Sequence, residues 1–110
     1  MVLEDFLFPG ELIIFQSGKV KTLNDHFDFY ITDQRILLYR CRGVVFKKDR
    51  VIAERIASIL TLHYYEKGIV KKKGVLHIET VSKKMEPIEG KVSDIKAIWQ
   101  ELQKYIKREE

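Results

Sequence analysis

Through most of the chain, apolar and polar residues recur with a period of two, and only after residue 93 does the spacing lengthen to that of a helix. The strictest alternation sets Phe27, Phe29 and Ile31 on one side and His26, Asp28, Tyr30 and Thr32 on the other, which predicts a strand with one face in a core. Before it, Leu12-Ile13-Ile14-Phe15 is a β-rich run between Pro9-Gly10 and Gly18, giving a first strand over 11–16. The polar stretch 19–25 then reads as an exposed hairpin loop. Thr32-Asp33-Gln34-Arg35 interrupts the pattern before the run 36–41, so the second and third strands form an antiparallel hairpin. Further strands are expected within 44–53, 59–66, 75–81 and 85–88, with turns at Arg42-Gly43, Lys67-Gly68, Lys73-Gly74 and Ser82-Lys83-Lys84. A repeat of about ten residues per strand predicts a sandwich or barrel rather than a parallel sheet with crossover helices.

Over 93–107 the apolar residues Ile95, Ile98, Trp99, Leu102, Tyr105 and Ile106 fall three and four apart, while Lys96, Gln100, Gln103, Lys104 and Lys107 take the opposite face. Ser93 is the predicted N-cap, and Asp94 complements the helix dipole. One such stripe, once buried, closes one end of a small barrel. The expected organisation is a single domain over 1–110, mainly β with one helix. Residues 1–10 form an N-terminal extension packing over a barrel edge, 11–90 carry the strands, and 93–107 the helix.

Composition narrows the classes. The chain has 110 residues, 45% hydrophobic and 33% charged, enough for one modest core. No apolar run approaches the roughly 20 residues of a membrane-spanning helix. The opening Met-Val-Leu-Glu-Asp lacks the features of a secretory signal, so a cytoplasmic location, peripheral to a membrane if bound there, is expected. Cys41 is the one cysteine, which excludes an intramolecular disulfide and reads as a buried structural thiol. A net charge of +4 favours an acidic partner.

Leu7-Phe8-Pro9-Gly10-Glu11, followed by Tyr30-Ile31-Thr32-Asp33-Gln34-Arg35-Ile36-Leu37-Leu38-Tyr39, resembles the "pGE … lTxxRLl" pattern of prokaryotic pleckstrin-homology-like (PH-like), GRAM and GLUE domains. Glu54-Arg55-Ile56-Ala57-Ser58-Ile59 is similar to the step by which those families enter their fifth strand, and Trp99 stands where PH domains usually place a helix tryptophan. The resemblance implies a seven-stranded antiparallel barrel or sandwich capped by a C-terminal helix. Independently of it, Thr32 and Asp33 suit backbone bonds in a turn, and Arg35 suits a carboxylate or carbonyl.

On the PH-like layout, three loops gather at the barrel end opposite the helix. They carry Lys19 and Lys21, then Arg40, Arg42, Lys47 and Lys48, then Lys83 and Lys84, a basic mouth suited to phosphate groups. The competing explanation is that these side chains solvate hairpin tips. Asp25 and Asp28 oppose phosphate nearby, and the basic pair of phosphoinositide-binding PH domains is missing from the second strand, which disfavours specific phosphoinositide recognition. Lys71-Lys72-Lys73 falls at the other end as a solvated tip that, with Lys67, makes at most a second anion-attracting patch.

His63 and His77 are expected to face each other across a hairpin with Glu79 nearby, as surface histidines rather than a metal site. No cofactor motif or catalytic constellation is present in the sequence, and His26 with Asp28 lacks a nucleophile. Nucleic acid is not the expected partner, because Phe27, Phe29 and Trp99 are better used in a core than as stacking platforms. The function expected is therefore a noncatalytic adaptor for an anionic phospholipid surface or an acidic protein. Its alternatives are a GLUE-like ubiquitin-binding module of an ESCRT-type sorting system and a homo-oligomerising structural domain.

Overall fold

Alternating segments become strands that curl around the residues they bury. The computed structural model describes residues 6–42 and 48–106 and places β1 at Ile13–Thr22, β2 at Asp25–Thr32, β3 at Arg35–Arg42 and β4 at Lys48–Arg55. A 3-10 turn at Ile56–Ser58 leads to β5 at Ile59–Lys67, β6 at Lys73–Thr80, β7 at Ile88–Lys91 and α1 at Val92–Gln103. The strands form one sheet in the order β4-β3-β2-β1-β7-β6-β5, antiparallel throughout. This is a curled half-barrel with α1 as its lid.

The core joins Phe27, Phe29 and Ile31 of β2 to Ile36 and Leu38 of β3, Leu76 and Ile78 of β6, Ile88 of β7, and Ile95, Ile98 and Leu102 of α1. Close approach of α1 fixes one residue type: a Cβ on Gly74 would lie 2.8 Å from Ile95 Cβ. Gly74, expected in a turn, is thus a strand residue beneath the helix. Trp99 is half-buried and stacks on Tyr64 at 5.3 Å between ring centroids, while Ile106 packs at the core margin. Tyr105, grouped with the stripe by its spacing, follows the end of α1 and is 41% exposed, its hydroxyl donating to Glu101. Ser93 lies inside the first turn of α1, not at its cap, because β7 runs directly into the helix through Lys91.

The largest departure from expectation is β1. It continues to Thr22, so Lys19 and Lys21 are strand residues and the turn shrinks to Leu23-Asn24, both with positive φ. Register shifts between Ile13 and Phe15 and between Gln16 and Lys19 mark bulges that bend the strand and break its alternation. β7 occupies Ile88–Lys91 rather than 85–88, with Met85 buried just before it. Part of the expected 44–53 strand, and the Cys41 side chain, lie outside the described residues.

The "GE … TxxR" residues form one buried network. The Glu11 carboxylate accepts from Arg35 Nε at 2.9 Å and Nη2 at 3.0 Å, from the Thr32 hydroxyl at 2.5 Å, and from the Phe8 amide at 2.8 Å. Thr32 Oγ1 also accepts from the Gln34 and Arg35 amides, shaping the β2–β3 turn. Arg35 reaches the Phe6 carbonyl as well and stacks over the Phe8 ring. Anchored there, Phe6 and Leu7 cover Leu37 and Tyr39 on the outer face of β3. Hydrogen bonds from Arg35 hold the Glu11 carboxyl down at about 2; burial opposes the shift, and Thr32 and the Phe8 amide reinforce it.

Candidate functional site

Of the eight basic residues expected at the mouth, the seven that are described divide among three places. Arg40 points inward from β3, opposite Arg50 of β4, and both guanidinium groups lie within 6 Å of the Phe27 ring, at 5.9 and 5.7 Å. It is ion-paired with Asp25. Arg42 and Lys48 stand opposite each other at the end of the same hairpin, and Lys47 lies outside the described residues. On the β6–β7 connection, Lys83 is held by Glu54 at 2.9 Å. Lys84 borders two shallow pockets, one of them shared with Lys83, Leu23 and Met85.

Lys19 and Lys21 are elsewhere. With Val20 and Thr22 buried, alternation turns both lysines to the outer face of β1. There Lys21 stands opposite His26 of β2 on one side and Glu89 of β7 on the other. β7 carries Lys91 on the same face, and β6 sets Lys73 directly opposite Lys91 and, on its other edge, opposite Lys67 of β5. The β5–β6 hairpin adds Lys71 and Lys72. Together Lys19, Lys21, Lys71, Lys72, Lys73 and Lys91 line a groove of about 320 Å³ in which Glu89 is the acidic member.

That carboxylate is already committed, 2.8 Å from Lys67 Nζ. Its bond from Lys67 lowers the Glu89 pKa against the opposing effect of burial, and the positive fields of Lys67, Lys73 and Lys21 add to the lowering. The same bond raises Lys67. Like charges directly across a sheet are destabilising, so the row Lys91–Lys73–Lys67 is not what folding alone would select. Its groups are compact ammonium charges without an arginine fork or glycine-rich phosphate loop, chemistry that suits a diffuse anionic surface better than one oriented phosphate.

On the outer face of β5 and β6, His63 stands opposite His77 in register, with ring centroids 6.3 Å apart. Tyr65 stacks on His77 at 5.5 Å, its hydroxyl 3.3 Å from Nε2. These rings, Glu79 and Lys84 border a shallow pocket of about 430 Å³. Among the described residues no group of three or more His, Cys, Asp or Glu side chains is arranged to hold a metal. Nor is any helix there long and apolar enough to cross a membrane.

The sequence matches no family model and no curated protein. Among solved structures, the chain is similar to the crystal structure of a pleckstrin homology domain from Shewanella amazonensis, with 19% identity over 94% of this chain and 90% of that one, at a TM-score of 0.69. The fold is PH-like. Nothing in the likeness singles out a GRAM or GLUE relationship.

Proposed function

We propose that the chain is a noncatalytic PH-like binding module that docks on an anionic membrane surface through the lysines of β1, β6, β7 and the β5–β6 hairpin. The observation carrying this reading is the cross-strand row Lys91–Lys73–Lys67, continued by Lys19, Lys21, Lys71 and Lys72. The salt bridges among the described residues include none to Lys19, Lys21, Lys71, Lys72, Lys73 or Lys91. Each lysine brought close to an anionic leaflet contributes about 1 kcal/mol, and the attraction fades beyond a Debye length of about 8 Å at physiological salt.

Cosedimentation with phosphatidylglycerol-containing and pure phosphatidylcholine vesicles tests this. Binding is expected with the anionic vesicles alone, declining as salt rises, and Lys72→Glu with Lys73→Glu should weaken it about tenfold or more. Lys83→Glu with Lys84→Glu should change it much less. The reverse ranking would move the site to the barrel mouth. Indifference to lipid charge and salt would reject a membrane ligand, and binding to an acidic protein or ubiquitin in that case would support the adaptor alternative.

A further inference from the structure

The hairpin that contributes Lys71, Lys72 and Lys73 has an unusual tip. Between Lys67 and Lys71 stand Gly68, Ile69 and Val70, and the two apolar side chains are 95% and 93% exposed, the most exposed large hydrophobics among the described residues. Isolated apolar residues at a surface are ordinary. Here two β-branched side chains are adjacent, at a turn where polar residues would serve, and a lysine stands on either side of the turn within two positions. The turn is also tightly built: Gly68 has φ +102°, and a Cβ there would lie 2.5 Å from the Lys71 carbonyl oxygen. A side chain at position 68 is excluded, and the chain is held so that 69 and 70 project.

We infer that Ile69 and Val70 form a membrane-inserting tip, entering the bilayer beneath the headgroups while Lys67, Lys71, Lys72 and Lys73 form a basic collar at headgroup level. The inference rests on the membrane reading above and deepens it, since an acidic protein or free phosphate would use the lysines and leave the tip in water. Geometry supports the depth. Ile69 lies two positions beyond Lys67, a reach of at most roughly 7 Å in extended chain. Interfacial elements bury their apolar side about 5–10 Å into the headgroup–acyl boundary, with flexible lysine stems keeping the ammonium groups in the polar layer. The rest of the groove, Lys19, Lys21 and Lys91, lies on the sheet face continuous with the collar.

Two variants separate the tip from the charge. Ile69→Ser with Val70→Ser alters side chains with almost no contacts, so folding and thermal unfolding should be unchanged. Its affinity for phosphatidylglycerol-containing vesicles should fall about tenfold or more, as expected from returning two buried apolar side chains to water, while its salt dependence keeps the wild-type slope. Val70→Trp supplies a depth probe against a background of one native tryptophan, Trp99, which stacks on Tyr64. Its emission should shift to the blue on vesicle binding and be quenched by acyl-chain-brominated lipid, with wild-type emission little affected. Unchanged affinity of the serine variant together with an unquenched Val70→Trp would overturn insertion and leave electrostatic docking standing. Failure of the wild type to bind anionic vesicles at all would overturn both.

Discussion

Glu11 and Arg35 meet in the interior with each charge answered, whereas Lys67, Lys73 and Lys91 face one another on the outer sheet with Glu89 alone between them. Both clusters are charged, and their energetics run in opposite directions. In the first, a bidentate guanidinium, a hydroxyl and an amide compensate for removing a carboxylate from water, so the charges belong to the architecture. In the second, the fold tolerates repulsion that neutral side chains would relieve. The difference separates a motif that builds the domain from a surface that the proposed membrane docking would use, although the motif is the more conspicuous signal in the sequence.

The sharpest way to break that contrast is to remove one partner from each cluster. Arg35→Ala leaves the Glu11 carboxylate buried without its cation and should destabilise the fold by about 3–5 kcal/mol in urea denaturation. Replacing both charges, with Glu11→Leu and Arg35→Met, should cost less than the single change, because no unpaired charge remains. Neither change should alter the vesicle affinity of the folded molecules.

Acid tests the same network without mutation. The Glu11 carboxyl titrates at about 2 in the folded chain, against an ordinary value of 4.5. A lowered carboxylate stabilises fully above its unfolded pKa, so this contribution is intact near neutrality and is lost as pH falls from about 5 toward 2. About 3 kcal/mol should disappear across that window, and Glu11→Gln should flatten the corresponding part of a stability–pH curve. An equally steep acid loss in Glu11→Gln would assign the effect to other carboxylates.

How far each region was legible follows from what its residues need. β2 was readable because its alternation holds from His26 through Ile31, failing only at the buried Thr32, and α1 because Ile95, Ile98 and Leu102 keep helical spacing through the burial they require. β1 was not, since two bulges scramble its pattern and hide the fact that Lys19 and Lys21 lie on a sheet face. Glu11, Thr32 and Arg35 stood out in the sequence through their resemblance to a spaced family pattern, while the bonds that join them across 21 and 24 residues were not legible there. The lysine groove left no such trace: positions 19, 21, 71–73 and 91 meet only because β7 lies between β1 and β6, a sheet order that local patterns do not encode. Arg40 and Lys83 looked free in sequence because Asp25 and Glu54 reach them from other strands.

The smallest effect discriminates best between a site and an accident of composition. Lys73 is opposed by Lys91 on one side and Lys67 on the other, so Lys73→Gln removes two repulsive cross-strand contacts while preserving most of the side-chain stem. Stability at low salt should rise by about 0.5 kcal/mol, and the gain should vanish near 1 M salt, where the Debye length is about 3 Å. The same variant should bind anionic vesicles more weakly than the wild type. Stability and binding moving in opposite directions is what a retained, repulsive surface predicts; if Lys73→Gln lost stability at low salt, packing of the lysine stem would outweigh the repulsion, and the lysine row would stand on the same footing as the Glu11–Arg35 pair.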